Sequence, residues 1–127
     1  MWTQRKHKES TIRDAFAEWI IDMSQILWQE VFFVGKEVRI ESHGRTGYID
    51  LLYKDKENSL FVIELKVVDL EVEHIFQVEW YMQTLLESKK EWKLWDVNNI
   101  YGILLWASFT QWIKDFANER SIEVFSF

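Results

Sequence analysis

The segment LFVIELKVV, Leu60 to Val68, predicts a central strand in this 127-residue chain. Seven of its nine residues are apolar, and a short continuous apolar run is typical of a strand that is buried on both faces. Glu64 and Lys66 interrupt the run two residues apart, so their side chains point to the same face of the sheet. Because charge is costly inside a buried strand, the pair is either an outward-facing ion pair or part of a functional site.

Seven further elements are predicted around this strand. Ser10 or Thr11 is expected to cap a first helix, because apolar residues recur at helical spacing behind them. The other predicted helices are Leu70 to Ser88 and Gln111 to Glu119, the second capped by Thr110. The predicted strands are Val31 to Val34 joined to Glu37 to Glu41, Tyr48 to Tyr53, Leu60 to Val67, Ile100 to Trp106, and Ile122 to Phe127. The order α-β-β-β-α-β-α-β predicts one α/β domain over residues 1–127, with a central mixed sheet flanked by helices.

The composition narrows the classes of function. Hydrophobic residues make up 48% of the chain and charged residues 28%, which is typical of a globular domain. The chain has no Cys, so disulfides, thiol catalysis and Cys-based zinc sites are excluded. Its net charge of −6 argues against binding nucleic acid or an anionic membrane by bulk charge. No secretory signal and no apolar run near the about 20 residues of a bilayer span are visible, so we expect an intracellular, cytoplasmic protein without membrane association.

A second carboxylate is expected beside Glu64 and Lys66. Asp50 lies in the strand before them, and the hairpin that joins the two strands can bring it alongside. Two neighbouring carboxylates repel each other, and burial increases that cost. A bound Mg²⁺ or Mn²⁺ relieves it, since both ions prefer oxygen ligands. Lys66 is then free to position a water molecule or to stabilise charge on a phosphate.

A polar pair on the following helix is a further candidate. Gln77 and Tyr81 are four residues apart, so they share one face of the helix. That face is offset from the apolar stripe and can look toward the strand carboxylates. The alternative is ordinary packing at the helix boundary.

Three segments together resemble the PD-(D/E)XK nuclease superfamily, and in particular the C-terminal catalytic domain of the NucS/EndoMS endonucleases. They are GYIDLL at 47–52, VIELK at 62–66 and QVEWY at 77–81. The resemblance extends over residues 9–127. It implies a restriction-endonuclease-like core and metal-dependent hydrolysis of phosphodiester bonds in DNA.

The resemblance also implies a role for each matching residue. Asp50 and Glu64 match the metal-binding carboxylates, and the implied cofactor is Mg²⁺ or Mn²⁺. The backbone carbonyl of Leu65 is a further candidate metal ligand. Lys66 matches the lysine beside the attacking water.

Two further matches concern the helices. Gln77 and Tyr81 match helix residues that face the active site and the DNA. Glu9 matches an acidic residue on the first helix of the family, and Glu18 is its rival for that role.

The chain departs from the family pattern in its charge. Residues 55–79 carry seven acidic residues and two lysines, which repel phosphates. The basic residues predicted to touch DNA are Arg5, Lys6, Lys8 and Arg45. We therefore expect help from a homodimer or from a partner protein that supplies DNA binding. The alternatives are a non-catalytic protein-binding subunit on the same fold, and a nuclease that acts on RNA or only within a larger complex.

The eight tryptophans divide into two groups. Those in patterned elements are predicted to pack in the core; they are Trp19, Trp28, Trp80 and Trp106. The others are candidates for stacking on bases or for covering a partner surface; they are Trp2, Trp92, Trp95 and Trp112.

Overall fold

A computed structural model describes residues 2–18, 22–67, 69–88, 97, 99–106 and 108–126, without the side chains of residues 2–8, 106 and 126. The helices are α1 (Trp2–Ala17), α2 (Met23–Leu27), α3 (Val72–Glu87) and α4 (Gln111–Asn118). The strands are β1 (Phe32–Ser42), β2 (Arg45–Lys54), β3 (Ser59–Lys66), β4 (Asn99–Trp106) and β5 (Ile122–Ser126). None of the described helices is long and apolar enough to cross a bilayer.

The five strands form one sheet in the order β1-β2-β3-β4-β5. The first three strands are antiparallel neighbours. Strand β4 is parallel to both β3 and β5, as helical crossovers through α3 and α4 require. The predicted α/β fold with a central mixed sheet is thereby confirmed.

The N-terminal prediction was wrong in two details. Ser10 and Thr11 lie inside α1 rather than at its start, and a separate helix, α2, follows. Residues 2–9 carry no apolar stripe, so periodicity gave no sign of a helix there. Asp22 caps α2 by accepting a hydrogen bond from the Ser24 N–H at 3.0 Å. The predicted Thr110 cap of α4 is confirmed, since its hydroxyl accepts from the Ile113 N–H at 3.2 Å.

Trp28 is a second correction, because core packing was predicted for it. It follows α2 in a left-handed conformation, with φ 57°, and its side chain is 90% exposed. Ending the helix there turns the indole away from the apolar stripe. Trp19, Trp92 and Trp95, as well as the side chains of Trp2 and Trp106, lie outside the described residues.

The sheet separates two clusters of buried side chains. The cluster on the α3 and α4 face includes Ile40, Ile49, Leu52, Val62, Ile75, Val78 and Leu104. The cluster on the α1 and α2 face includes Phe16, Met23, Leu51, Phe61, Ile63, Leu65 and Leu105. Strand β3 contributes alternate residues to each cluster, which explains its continuous apolar sequence.

The side chains on either side of Asp50 in β2 pack on opposite faces of the sheet. Ile49 packs in the α3–α4 cluster, whereas Leu51 packs in the α1–α2 cluster. Regular alternation would place these two side chains on the same face. In β1, Glu37 lies between the pairs Lys36–Leu51 and Val38–Ile49 and has a positive φ of 48°. The outer half of the hairpin therefore folds toward α3, and Asp50 lies at the bend.

Candidate active site

Strands β2 and β3 separate where the predicted carboxylates lie. Their described pairing runs from Lys54–Leu60 to Leu51–Ile63. Beyond that pair, the side chains of Asp50 and Glu64 accept hydrogen bonds from the backbone of the facing strand. Glu64 Oε1 accepts the Asp50 N–H at 3.1 Å, and Asp50 Oδ2 accepts the Leu65 N–H at 2.9 Å. The structure thus brings Asp50 and Glu64 together at the fork between the two strands.

The Glu64 carboxyl is the most confined group of this fork. It is 2% exposed. Burial raises its pKa well above the ordinary value, and the Asp50 carboxylate raises it further. The charge of Lys66 and the hydrogen bond from the Asp50 backbone act in the opposite direction. A second positive charge beside this pair would relieve the repulsion, so the donor set fits a divalent cation.

Lys66 follows Glu64 on the same face of β3. Leu60 and Val62 belong to the α3–α4 cluster, so strand alternation directs Glu64 and Lys66 toward α3 as well. The positive charge of Lys66 opposes the rise in the pKa of Glu64. After burial, it is also the next cause that lowers the pKa of His74, near the start of α3. Lys66 therefore shares the face of Glu64, and its charge acts on both the buried carboxyl and a residue of the first turn of α3.

His74 of α3 lies at the edge of the site, where the charge of Lys66 acts on it. Its ring is half-buried, and its Nδ1 accepts the Glu71 N–H at 3.0 Å. An accepting Nδ1 places the proton of the neutral ring on Nε2. Burial and the charge of Lys66 lower its pKa, whereas Glu71 and Glu73 oppose the shift.

Tyr81 of α3 lies close enough to the two carboxylates for their charges to act on its phenol. It is 4% exposed. Burial raises the pKa of its phenol, and the negative charges of Glu64 and Asp50 add to the rise, whereas a backbone hydrogen bond from Tyr48 opposes it. The hydroxyl therefore stays protonated at neutral pH. Gln77 is half-buried one turn earlier on the same helix.

Gly47 lets the hairpin lie directly on α3. A Cβ at this position would stand 2.7 Å from Tyr81 Cε1 and 2.8 Å from Trp80 Cζ3. Arg45, two residues earlier, places its guanidinium carbon 4.1 Å from the centre of the Trp80 ring, a cation–π contact. Sequence reasoning gave Gly47 no role at the site, because the predicted strand began one residue later, at Tyr48. The signal was available, since a glycine within a strand often marks a close approach of another chain segment.

Glu9 reaches the site from α1, at the end of β3. Its Oε1 accepts the Val67 N–H at 3.0 Å, one residue beyond Lys66. Its rival, Glu18, is exposed just after the end of α1. The structure therefore places Glu9 next to the fork and does not bring Glu18 there.

Three of the residues predicted to contact DNA lie in α1, and the possible ligands of a cation lie at the fork. Arg5, Lys6 and Lys8 lie in α1, but their side chains are outside the described ones. Within the described part of the chain, no three His, Asp or Glu side chains form a group with metal-binding geometry. A cation at the fork would accordingly take two carboxylates, with other ligands from the backbone or solvent.

Two similar proteins are among the solved structures that match this chain. A repair endonuclease from Pyrococcus abyssi matches with a TM-score of 0.67 and 23% identity, over 90% of this chain and 46% of that chain. A complex of EndoMS with double-stranded DNA matches with a TM-score of 0.62 and 21% identity, over 90% of this chain and 43% of that chain. The chain thus spans less than half the length of either protein, and the likeness establishes a shared fold.

Comparison of the sequence with family descriptions gives a more direct result. No curated protein matches the chain. The family description of the YhcG PDDEXK nuclease domain matches residues 1–125, which includes the fork, α3 and every described strand except the last residue of β5. The chain therefore belongs to the YhcG PDDEXK nuclease domain family.

Proposed function

We propose that this domain is a divalent-metal-dependent endonuclease that hydrolyses phosphodiester bonds in DNA. The observation that carries the proposal is the reciprocal bonding of Asp50 and Glu64 at the fork. In a regular antiparallel hairpin, backbone hydrogen bonds between β2 and β3 would continue past this point. Here two acidic side chains replace the pairing, and one of them is buried at a high cost in electrostatic free energy.

Asp50 and Glu64 would hold Mg²⁺ or Mn²⁺, with the Leu65 carbonyl as a backbone ligand. The Leu65 N–H already fixes the Asp50 carboxylate, so these three groups are ordered before a cation arrives. A bound divalent cation supplies positive charge to the scissile phosphate and lowers the pKa of a coordinated water.

The remaining residues would orient the reactants. Lys66 directs its ammonium group to the attacking water or to the developing charge on the phosphate. Tyr81 keeps its proton and can donate a hydrogen bond to a carboxylate or a phosphate oxygen. Gln77 would contact DNA from the adjacent turn of α3. Glu9 would act by holding the end of β3.

DNA is the proposed substrate because one structural neighbour is described as a complex with double-stranded DNA. Arg45 supports this choice, since its guanidinium is held beside the site on Trp80. Arg5, Lys6 and Lys8 are proposed as further phosphate contacts. A homodimer, or a partner protein that supplies DNA binding, stays a prediction that sedimentation of the purified chain tests.

A cleavage assay tests the proposed function. Single-stranded, duplex, mismatched and branched DNA and a matched RNA are incubated with Mg²⁺, with Mn²⁺ or with a chelator. We expect metal-dependent cleavage of DNA that Glu64→Gln abolishes, because the amide can accept the same hydrogen bond but carries no charge for the cation.

Glu123→Gln is the matched control, since Glu123 is an exposed carboxylate in strand β5 of the same sheet. This variant should cleave as the parent does. Metal-independent cleavage, or cleavage by Glu64→Gln at the parental rate, contradicts the assignment. No cleavage of any substrate, together with binding to a protein partner, would favour the non-catalytic subunit.

A further inference from the structure

The outer faces of α3 and α4 share a row of aromatic rings. Phe76 of α3 meets Phe116 of α4 edge-on, with ring centres 5.7 Å apart, and Trp112 stacks on Phe116 at 5.5 Å. Phe76 is 48% exposed and Trp112 is 61% exposed. We call these three rings the α3–α4 aromatic surface.

This surface differs from a scattered exposed residue. Single exposed apolar side chains are normal on a protein surface, whereas contiguous ones mark interaction sites. Trp28 is more exposed than Trp112, but no ring contact of Trp28 is among the described aromatic pairs. Aromatic rings are also enriched at the centre of protein interfaces. The row is therefore a docking candidate and Trp28 is its natural control.

The charges around the aromatic surface are predominantly acidic. Glu73 lies one turn before Phe76, and Asp115 and Glu119 lie on the Trp112 side of α4. All three carboxylates are exposed. A nucleic acid would be repelled here, whereas a basic surface would be attracted.

The basic residues near α4 do not cancel this charge. Arg120 lies over the Phe116 ring at 3.7 Å and pairs with Glu79 at 3.6 Å and with Glu119 at 3.9 Å. Its single positive charge is therefore shared by two acids, which leaves a net negative charge. Lys114 instead lines a cavity of about 760 Å³ with residues of β3, β4 and β5. The rim that a partner meets thus remains negative.

We propose that the α3–α4 aromatic surface docks a partner protein through an apolar anchor flanked by lysine or arginine. The anchor covers Trp112 and Phe76, and the basic side chains pair with Glu73, Asp115 and Glu119. The N-terminal ends of α3 and α4 follow the C-terminal ends of β3 and β4. The partner therefore sits at the edge of the sheet that carries the fork, without any contact to the fork residues being required.

An unbiased displayed peptide library, selected on the purified domain, tests the proposal. We expect the enriched peptides to combine an apolar or aromatic residue with lysines or arginines. A synthetic peptide of the enriched sequence should bind Trp112→Ser at least about tenfold more weakly. Its affinity for Trp28→Ser should equal that for the parent, since Trp28 lies outside the surface.

A charge variant distinguishes specific docking from non-specific hydrophobic binding. Glu119→Lys leaves all three rings in place and should weaken the same peptide severalfold. Selection of no peptide, of acidic peptides, or of peptides indifferent to both Trp112→Ser and Glu119→Lys overturns the proposal. Displacement of the peptide by a DNA oligonucleotide also overturns it, because the surface then binds nucleic acid. None of these readouts uses cleavage, so the proposed nuclease activity can fail independently.

Discussion

Glu64 accepts the backbone N–H of Asp50, while Asp50 accepts the N–H of the residue that follows Glu64. Each acidic side chain thus holds the other strand at the point where the strands part. The two carboxyl groups are fixed by the backbone, and burial and the charge of Asp50 both disfavour ionisation of Glu64.

Neutralising Glu64 should not weaken the metal-free domain. In Glu64→Gln the amide oxygen can still accept the Asp50 N–H, while the buried charge is gone. We expect a free energy of unfolding equal to the parent or up to about 1 kcal/mol higher, measured by urea denaturation with a chelator present. A clear loss of stability would mean that the ionised carboxylate is stabilised by the protein alone.

Divalent cations should stabilise the parent and not the carboxylate variants. A cation that binds only the folded state adds about 2.7 kcal/mol when its concentration is 100 times Kd. Thermal unfolding with increasing Mg²⁺ or Mn²⁺ should therefore raise the Tm of the parent. Equal shifts in Asp50→Asn and Glu64→Gln would place the binding site elsewhere.

Gly47→Ala should damage both the fold and cleavage. The new methyl group would clash with the rings of Tyr81 and Trp80, at a cost of about 1–3 kcal/mol. Gly35→Ala is the matched control, since its Cβ would meet only the Val38 Cγ2 at 3.1 Å. Stability and cleavage of the two variants are compared; equal losses would argue against a special role of the contact with α3.

Glu9 and Glu18 can be distinguished by alanine substitution. Glu9→Ala removes the acceptor of the Val67 N–H and should cost about 1 kcal/mol, with faster hydrogen exchange at Val67. Glu18→Ala should change neither quantity, because Glu18 is exposed. Unchanged exchange at Val67 in Glu9→Ala would show that the hydrogen bond contributes nothing.

His74 should make stability depend on pH below neutrality. Its folded-state pKa is lowered from 6.5, so the unfolded chain binds more protons between that lowered value and 6.5. Stability should therefore fall as the pH drops through this window. The fall should be smaller in His74→Gln, whose amide oxygen can replace Nδ1. Urea denaturation at pH 7.5 and pH 5 measures the difference, with exposed His43→Asn as control; identical slopes in parent and His74→Gln contradict the assignment.

The sheet and the grouping around the fork follow from local sequence rules. Successive apolar side chains of β3 pack alternately in the two core clusters. The burial of β3 on both faces could therefore be predicted from its continuous apolar sequence. The place of Asp50 beside Glu64 followed from hairpin pairing, and Tyr81 followed from helical spacing.

The remaining features depend on tertiary contacts. The first turns of α1 have no apolar stripe, and Glu9 bonds a residue 58 positions away. The change of inward face at Asp50 depends on the positive φ of Glu37, a conformation that nothing about a glutamate predicts. The aromatic row forms only where α3 and α4 meet, so it cannot be predicted from the sequence of either helix alone.

The end of β2–β3 pairing at Leu51 and Ile63 has a practical consequence for handling this domain. The side chains of Asp50 and Glu64 replace backbone hydrogen bonds between the strands. Alanine at either position therefore removes an inter-strand hydrogen bond together with a charge. Amide replacements keep this hydrogen bond and should preserve the shape that substrate meets. Asp50→Asn and Glu64→Gln are consequently the forms with which uncut substrate can be trapped and identified, whereas an inert alanine form would report a loosened sheet as readily as a lost reaction.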